Sequence, residues 1–293
     1  MLSEPVIPGL RERLLLLRRV NSFGRLNDHA LLLIAEHARV RSFADGAYAL
    51  EEGPIENVHV VASGRFKVTR RGKFVADVPA GGAIGVLSGV AQDDVGVMAQ
   101  SIGRSRTLEI PLDIFLGVNE ESFPVMRVGL RVFSGQLLDA HRHFSLEYGG
   151  SAEVLSENRE MGLIERVIEF SERGLFRTWN ANALFDVARG ATVVSLAAGD
   201  SLWQPGEPAK ACYHVVRGRL ASREDGRAET FGMGGMLGLL EMLSERSFQH
   251  TPVAHEDCLL LRISSDRLWA AFDTHRDLAF ALVTRLARAL LAD

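Results

Sequence analysis

The chain is poor in whatever would cross-link it, anchor it or give it one dominant charge. Of its 293 residues only two are cysteines, Cys212 and Cys258. They form no C-x-x-C pair and read as structural thiols of a reducing cytoplasm. No purely apolar run approaches the roughly 20 residues that span a bilayer. Met1–Pro8 carries Glu4 and two prolines before any apolar run, which is not the build of a secretory signal. These absences predict a cytoplasmic protein with no membrane partner. Basic charge is not in excess either: the formal net charge is −4. Residues 1–150 hold 17 basic and 17 acidic side chains, and residues 151–293 hold 16 and 20. A protein that neutralises many phosphates needs a basic surplus, so direct nucleic-acid binding is not expected. Arg11, Arg13, Arg18 and Arg19 do cluster, but Leu14–Leu17 lies among them, as on the charged face of an amphipathic helix.

Catalytic signatures are also missing. There is no Gly-rich nucleotide loop of the Walker or Rossmann type. His141 and His143 stand two apart on an expected helix, so their side chains diverge. His59 and His214 sit in expected strands near the same point of two similar stretches. None of the expected strands carries a His-x-His with a nearby Glu, so no cupin-like metal site is completed in a barrel. A non-enzyme with no metal centre is the expectation, and a cupin-like enzyme is the weaker alternative.

What the sequence does hold is a repeat. Ser195–Leu220 has turn signals at Gly199-Asp200, Pro205-Gly206 and Gly218. Between them Ser201–Gln204 and Cys212–Val216 read as short strands, and Leu220 begins a third. Ser42–Phe66 repeats this, with Gly46 and Gly53 falling on Gly199 and Gly206 at an offset of 153. Upstream, Phe23/Phe176, Asn27/Asn180, Ala30/Ala183, Leu31/Leu184, Ala35/Ala188 and Ala38/Ala191 are identical pairs at the same offset. Downstream, Arg71-Gly72-Lys73 matches Asp225-Gly226-Arg227, Gly82 and Gly85 match Gly235 and Gly238, and Leu108, Ile110 and Asp113 match Leu261, Ile263 and Asp266. A period near 150 residues present twice means two domains rather than a solenoid. Tyr148–Ser151 is the best linker, so the expected domains are residues 1–150 and 151–293.

Each half starts with helices. Pro8–Val20 is one, and another starts at Asn27-Asp28, with Leu31, Ile34, Ala35 and Ala38 on its buried face. Strands follow, among them Arg65–Thr69 and Lys73–Val78 around a tight turn, then Val95–Ile102 and Ser105–Ile110. Phe123–Leu146 and Glu157–Arg173 return to helix, with Gly174 as a C′ cap. Trp269 follows helix-start residues Ser264–Asp266 and reads as core. Leu278, Leu282, Leu286 and Leu290 stripe the last helix, a candidate surface for self-association alongside Leu10–Leu17.

These landmarks resemble the cyclic-nucleotide-binding domains of catabolite-activator-type regulators, cyclic-nucleotide-gated channels and protein kinase A regulatory subunits. The resemblance implies a β-rich fold with flanking helices: two tandem β-barrels of jelly-roll type, each with N-terminal and C-terminal helices. It also implies a phosphate-binding cassette in each, near G-E-L-A-L, with an Arg about eleven residues after the Gly. A short helix N-terminus, that Arg and the Glu would hold the cyclic phosphate and ribose. Both cassettes depart from this pattern. In the first, Gly82 and Gly85 stand, but Val86 takes the Glu position and Asp93–Val97 the Arg region. In the second, Gly235, Gly238 and Leu240 stand, Leu239 takes the Glu position, and the Arg position falls on Phe248 or Gln249. Arg246 and His250 are the nearby groups that could meet a phosphate. No helix-turn-helix follows the last helix, and Gln136–Tyr148 is the only candidate for a closing lid. The expectation is a regulatory protein acting on a protein partner or on itself, with at least the first pocket degenerate. The alternative is a sensor that binds a cyclic nucleotide or another small ligand in the second domain.

Overall fold

The computed structural model describes residues 9–20, 23, 26–93, 96–140, 160–224 and 227–292. Its contacts divide the chain into two compact units, Met1–Val132 with Ala279–Asp293, and Phe133–Leu278. The expected hairpin tip at Asp225-Gly226, the linker at Tyr148–Ser151, His141, His143 and most of the proposed lid lie outside the described residues.

Unit 1 opens with helices α1 (Leu10–Arg19) and α2 (Asp28–His37). Asn27 caps α2 by accepting the Ala30 N–H at 2.8 Å, the bond that a side-chain oxygen at the N-cap supplies to an otherwise unpaired donor. The predicted inner face of α2 is buried at Leu31, Ile34, Ala35 and Ala38. Six strands follow: β1 (Arg39–Phe43), β2 (Tyr48–Leu50), β3 (Asn57–Arg70), β4 (Lys73–Pro79), β5 (Ala83–Ile84) and β6 (Val97–Pro111). A short helix, α3 (Val86–Ala91), separates β5 from β6. All pairings are antiparallel, in the order β1-β6-β3-β4, with β2 on β6 and β5 on β3. The β3–β4 hairpin turns at Arg71 and Gly72, both at positive φ, as a two-residue loop with the right twist requires. The two strands expected over Val95–Ile102 and Ser105–Ile110 are one. β6 runs unbroken through Gly103, whose positive φ (72°) absorbs a local bend instead of ending the strand. Leu50, Ile55, Val61, Phe66, Ile84, Val97 and Ala99 form a buried apolar cluster on one face of this sheet. Helices α4 (Leu112–Glu121) and α5 (Phe123–Asp139) come next.

Unit 2 begins within α5 at Phe133. The described chain resumes at Glu160, and α6 spans Leu163–Glu172, starting later than the sequence suggested because Glu165 caps the Gly162 N–H at 2.7 Å. Gly174 follows at φ 69°, the left-handed residue expected just past a helix end. A 3-10 turn (Gly174–Thr178) leads to α7 (Ala181–Gly190), capped by Asn180 on the Ala183 N–H. Strands β7 (Thr192–Leu196), β8 (Ala211–Arg217), β9 (Leu220–Glu224), β10 (Arg227–Phe231), β11 (Met236–Leu237), β12 (Val253–Ala254) and β13 (Cys258–Ser264) form two antiparallel sheets, β11-β8-β13-β7 and β10-β9-β12. Helix α8 (Leu239–Ser244) lies between β11 and β12, and α9 (Ser265–Thr274) and α10 (Arg276–Leu291) end the chain. The strand expected at Ser201–Gln204 shrinks to a single bridge, Ser201 to Val253. The Trp203 side chain turns inward there and donates from Nε1 to the His250 carbonyl at 2.7 Å. Aromatic rings fill much of the unit's core: Phe170, Phe176, Trp179, Phe272 and Trp269 meet in sequence at 4.6–6.1 Å.

The sheets of both units are open along their hydrogen bonds among the described residues, so the fold stands as antiparallel sheets with flanking helices. Leu278, Leu282 and Leu286 of the C-terminal stripe are buried. α10 from Ala279 onward belongs to unit 1, where Arg288 Nε donates to the Ala91 carbonyl at 2.8 Å and Arg70 donates to the Leu291 carbonyl. Cys212 and Cys258 are unpaired and buried, and burial pushes the Cys212 thiol up to about 12. Among the described residues, no helix is long and apolar enough to cross a membrane.

Candidate functional site

The glycines singled out in the sequence build two short helices of the same design. In unit 2, Gly234 N–H donates to Val215 O at 2.8 Å and Val215 N–H donates to Gly235 O at 2.9 Å, which fixes the turn before β11. In unit 1, Gly81 and Gly82 make the same two bonds with Val61. Each helix is six residues long and starts from a left-handed glycine, Gly238 (φ 72°) for α8 and Gly85 (φ 84°) for α3. Each ends on a left-handed non-glycine residue, Glu245 or Gln92. A phosphate held here would approach the backbone N–H groups over that glycine.

In unit 2 that approach is filled. The Phe248 and Trp203 rings stack 3.9 Å apart at an interplanar angle of 10°, and both are buried. A Cβ on Gly238 would lie 2.8 Å from Phe248 Cε1 and 3.4 Å from Trp203. Backbone bonds clamp Phe248 in place, its N–H to Glu207 O and its carbonyl to the Gly206 N–H. Leu239, at the position of the expected acid, is buried, and Leu240 is partly buried. Anything charged lodged at this helix would be stripped of water against two aromatic rings. In unit 1, Leu50 and Ile55 take the covering role: a Cβ on Gly85 would lie 3.3 Å from Leu50 and 3.6 Å from Ile55. Val86 is only partly buried. Asp93 pairs with Arg70 at 2.9 Å.

Arg246 does not turn toward Gly238. It makes a bidentate pair with Asp139 on α5, at 2.5 and 3.0 Å, and its guanidinium packs on Gly135. The hydrogen bond to Asp139 holds Arg246 even more firmly in its charged form. Gln249 bonds back to the Ser247 carbonyl, and it lines an open cleft of about 520 Å³ with Pro205, Ala221, His250, Thr251, Val253 and His255. The expected site residues therefore separate. Gly235, Gly238 and Leu239 stay together at the helix start, Arg246 goes to α5, and Gln249 and His250 go to the cleft.

A second polar cluster was not legible in sequence. Glu169, Arg173 and His214 are all buried in unit 2. Glu169 Oε1 lies 3.0 Å from His214 Nε2, and Arg173 donates to Glu169 Oε2 at 3.2 Å. His214 Nδ1 has no partner among the described residues. A Glu and an Arg four apart on a helix ordinarily mark a solvated pair, so spacing alone gave no sign of burial. His59 is not its equivalent. His59 pairs with Ile84 and Glu109 across the sheet, whereas Tyr213 holds the corresponding place against Leu237 and Arg262. His214 is one residue on, hence on the opposite face. Burial, with the Arg41 charge second, lowers His59 to about 4, and Thr107 Oγ1 lies 3.1 Å from its Nδ1. Among the described residues no three His, Cys, Asp or Glu side chains are placed to hold a metal ion.

In unit 2, antiparallel strands with flanking helices and a glycine-started helix between two of the strands agree with a cyclic nucleotide-binding domain fold. Residues 193–275 match the family model described as the cyclic nucleotide-binding domain. No curated protein matches the chain. Among solved structures, the chain is similar to the regulatory domain of Toxoplasma gondii PKA co-crystallised with cAMP, at 16% identity and a TM-score of 0.37, covering 94% of this chain and 95% of that one. It is similar to the regulatory subunit of a cAMP-independent protein kinase A from Trypanosoma cruzi bound to guanosine, at 14% identity and a TM-score of 0.38, covering 96% and 90%. The sensor domain of the transcriptional regulator DNR from Pseudomonas aeruginosa aligns at 18% identity and a TM-score of 0.41, covering 45% of this chain and 93% of that one.

Proposed function

We propose that this protein is a non-enzymatic, cytoplasmic regulator built from two tandem cyclic-nucleotide-binding-like domains, residues 1–150 and 151–293, whose cassettes no longer take a cyclic nucleotide. It acts through protein contacts. The observation that carries this reading is the Trp203–Phe248 stack over Gly238, in the domain that retains most of the family's pattern. Leu50 and Ile55 support the same reading in the first domain. A bound cyclic phosphate would need a cation and open N–H groups. Charge-assisted hydrogen bonds of that kind supply roughly 1.5–3 kcal/mol each, and here Arg246 is engaged by Asp139 instead.

Calorimetric titration of the full chain with cyclic AMP and cyclic GMP, with linear AMP as control, tests this. The expected result is no heat at millimolar ligand and no thermal shift. Saturable binding of either cyclic nucleotide overturns the reading, and one site per chain would point to the second domain. The cleft with Gln249 and His250 favours a second reading, a sensor for another small ligand on the outer side of β9 and β12. That reading predicts ligand-induced chemical-shift changes at His250 and His255 in a small-molecule screen.

A further inference from the structure

We propose that the outer face of α1 binds the outer face of α6 in a second copy of this chain. The proposal names the partner left open by the protein-contact reading above, and it rests on that reading. On α1, Arg11, Leu15 and Arg19 are spaced four apart and lie on one exposed face, with Leu15 51% exposed. On α6, Ile164, Ile168 and Glu172 form the same kind of stripe, with Ile164 74% and Ile168 36% exposed. Each stripe is about 12 Å long at 1.5 Å per residue, so the two match in length.

Their charges are complementary. α1 carries four arginines against one glutamate, and α6 three glutamates against one arginine. Several of these charges are already committed. Arg18 sits on Asp28 at 2.5 Å, Glu165 caps its own helix start, and Glu169 belongs to the buried cluster. Arg13 and Arg166 donate to backbone carbonyls. Arg11, Arg19 and Glu172 form no ion pair among the described residues and flank the exposed apolar side chains. Pairing α1 on α1 would bring arginines together at both ends of the stripe, which is costly at an interface, and pairing α6 on α6 would give Glu172 no cation. Pairing α1 with α6 puts the arginine at one end of the α1 stripe, Arg11 or Arg19 according to the helix direction, against Glu172 and covers Leu15, Ile164 and Ile168. Each copy offers both faces, and a contact made in both directions is isologous, the closed form expected of a dimer.

Sedimentation equilibrium of the full chain tests this at about 50 and about 500 mM salt, a range over which exposed charges become screened. The expected result is a dimer whose dissociation constant rises with salt. Ile164→Asp combined with Ile168→Asp should raise that constant at least about tenfold, with circular dichroism unchanged because both side chains are exposed. Arg11→Glu with Arg19→Glu should weaken the dimer, as should Glu172→Arg. Mixing those two variants should restore association, because each then offers the other an opposite charge at both contacts. A chain that stays monomeric, a dimer indifferent to these changes, or a mixture no tighter than its components would overturn the proposal. A monomer that ignores cyclic nucleotides overturns this surface alone, and a dimer that binds them overturns the closed-cassette reading alone.

Discussion

Helices α3 and α8 share a backbone and differ in what covers them. Both are six residues long, start at a left-handed glycine and end on a left-handed residue that is not glycine. Both follow a pair of glycines bonded to the same point of the preceding long strand. Over α8 lie two stacked aromatic rings, and over α3 lie Leu50 and Ile55. The same backbone is therefore compatible with two different covers. What differs between the two units is the handful of side chains above that backbone.

Replacing each cover with alanine measures that difference. Phe248→Ala removes the stacked partner of Trp203 and leaves a large cavity, at an expected cost of about 4 kcal/mol. Leu50→Ala should cost about 3 kcal/mol, since a smaller side chain is lost from a cluster that can partly collapse. Urea denaturation of the two variants gives both numbers. Equal losses would mean that the aromatic stack is no more firmly built than its aliphatic counterpart.

The sequence was most legible where one residue type is needed for a local reason. Asn27 caps the helix it was expected to start, its repeat partner Asn180 caps α7 in the same way, and Arg71-Gly72 forms the expected two-residue turn. Gly85 and Gly238 take the positive φ that only glycine adopts cheaply. Legibility fell where one position had two readings. Gly103 could end a strand or bend one, and strand pairing on both sides of it chose the bend. It failed where partners are distant. Asp139 stands 107 residues from Arg246, and nothing local in the loop foretold that this arginine would be engaged from α5. The Trp203–Phe248 stack left one trace, an aromatic residue at one of the two positions, Phe248 or Gln249, where the resemblance places a cation, but the trace does not reveal what it packs against.

The two histidines sharpen the comparison between units. His59 lies among apolar side chains and the Arg41 charge, which lower it to about 4, while His214, one register away on the other face, faces Glu169. Between pH 6.5 and about 4 the unfolded chain takes up a proton at residue 59 that the folded chain refuses. The stability from a neutral His59 is therefore complete above pH 6.5 and lost as the pH falls toward 4, on the order of 3 kcal/mol. Chemical denaturation across this range should show a slope approaching one proton in the wild type. In His59→Gln that slope should be smaller by this proton. An unchanged slope would assign the acid sensitivity to other groups.

The smallest effect is expected at Arg246, the residue that resembles a ligand-binding cation most. Its pair with Asp139 is bidentate, but the two side chains are 40% and 66% exposed. Exposed pairs contribute about 0–1 kcal/mol because water and salt screen them. Arg246→Ala should thus lower stability by less than about 1 kcal/mol, and raised salt should erase most of the loss. The same variant should leave calorimetric titrations with cyclic AMP and cyclic GMP as flat as those of the wild type. A wild-type signal that disappears in Arg246→Ala would instead show that the arginine leaves Asp139 for a phosphate, and that the aromatic cover over Gly238 opens to admit one.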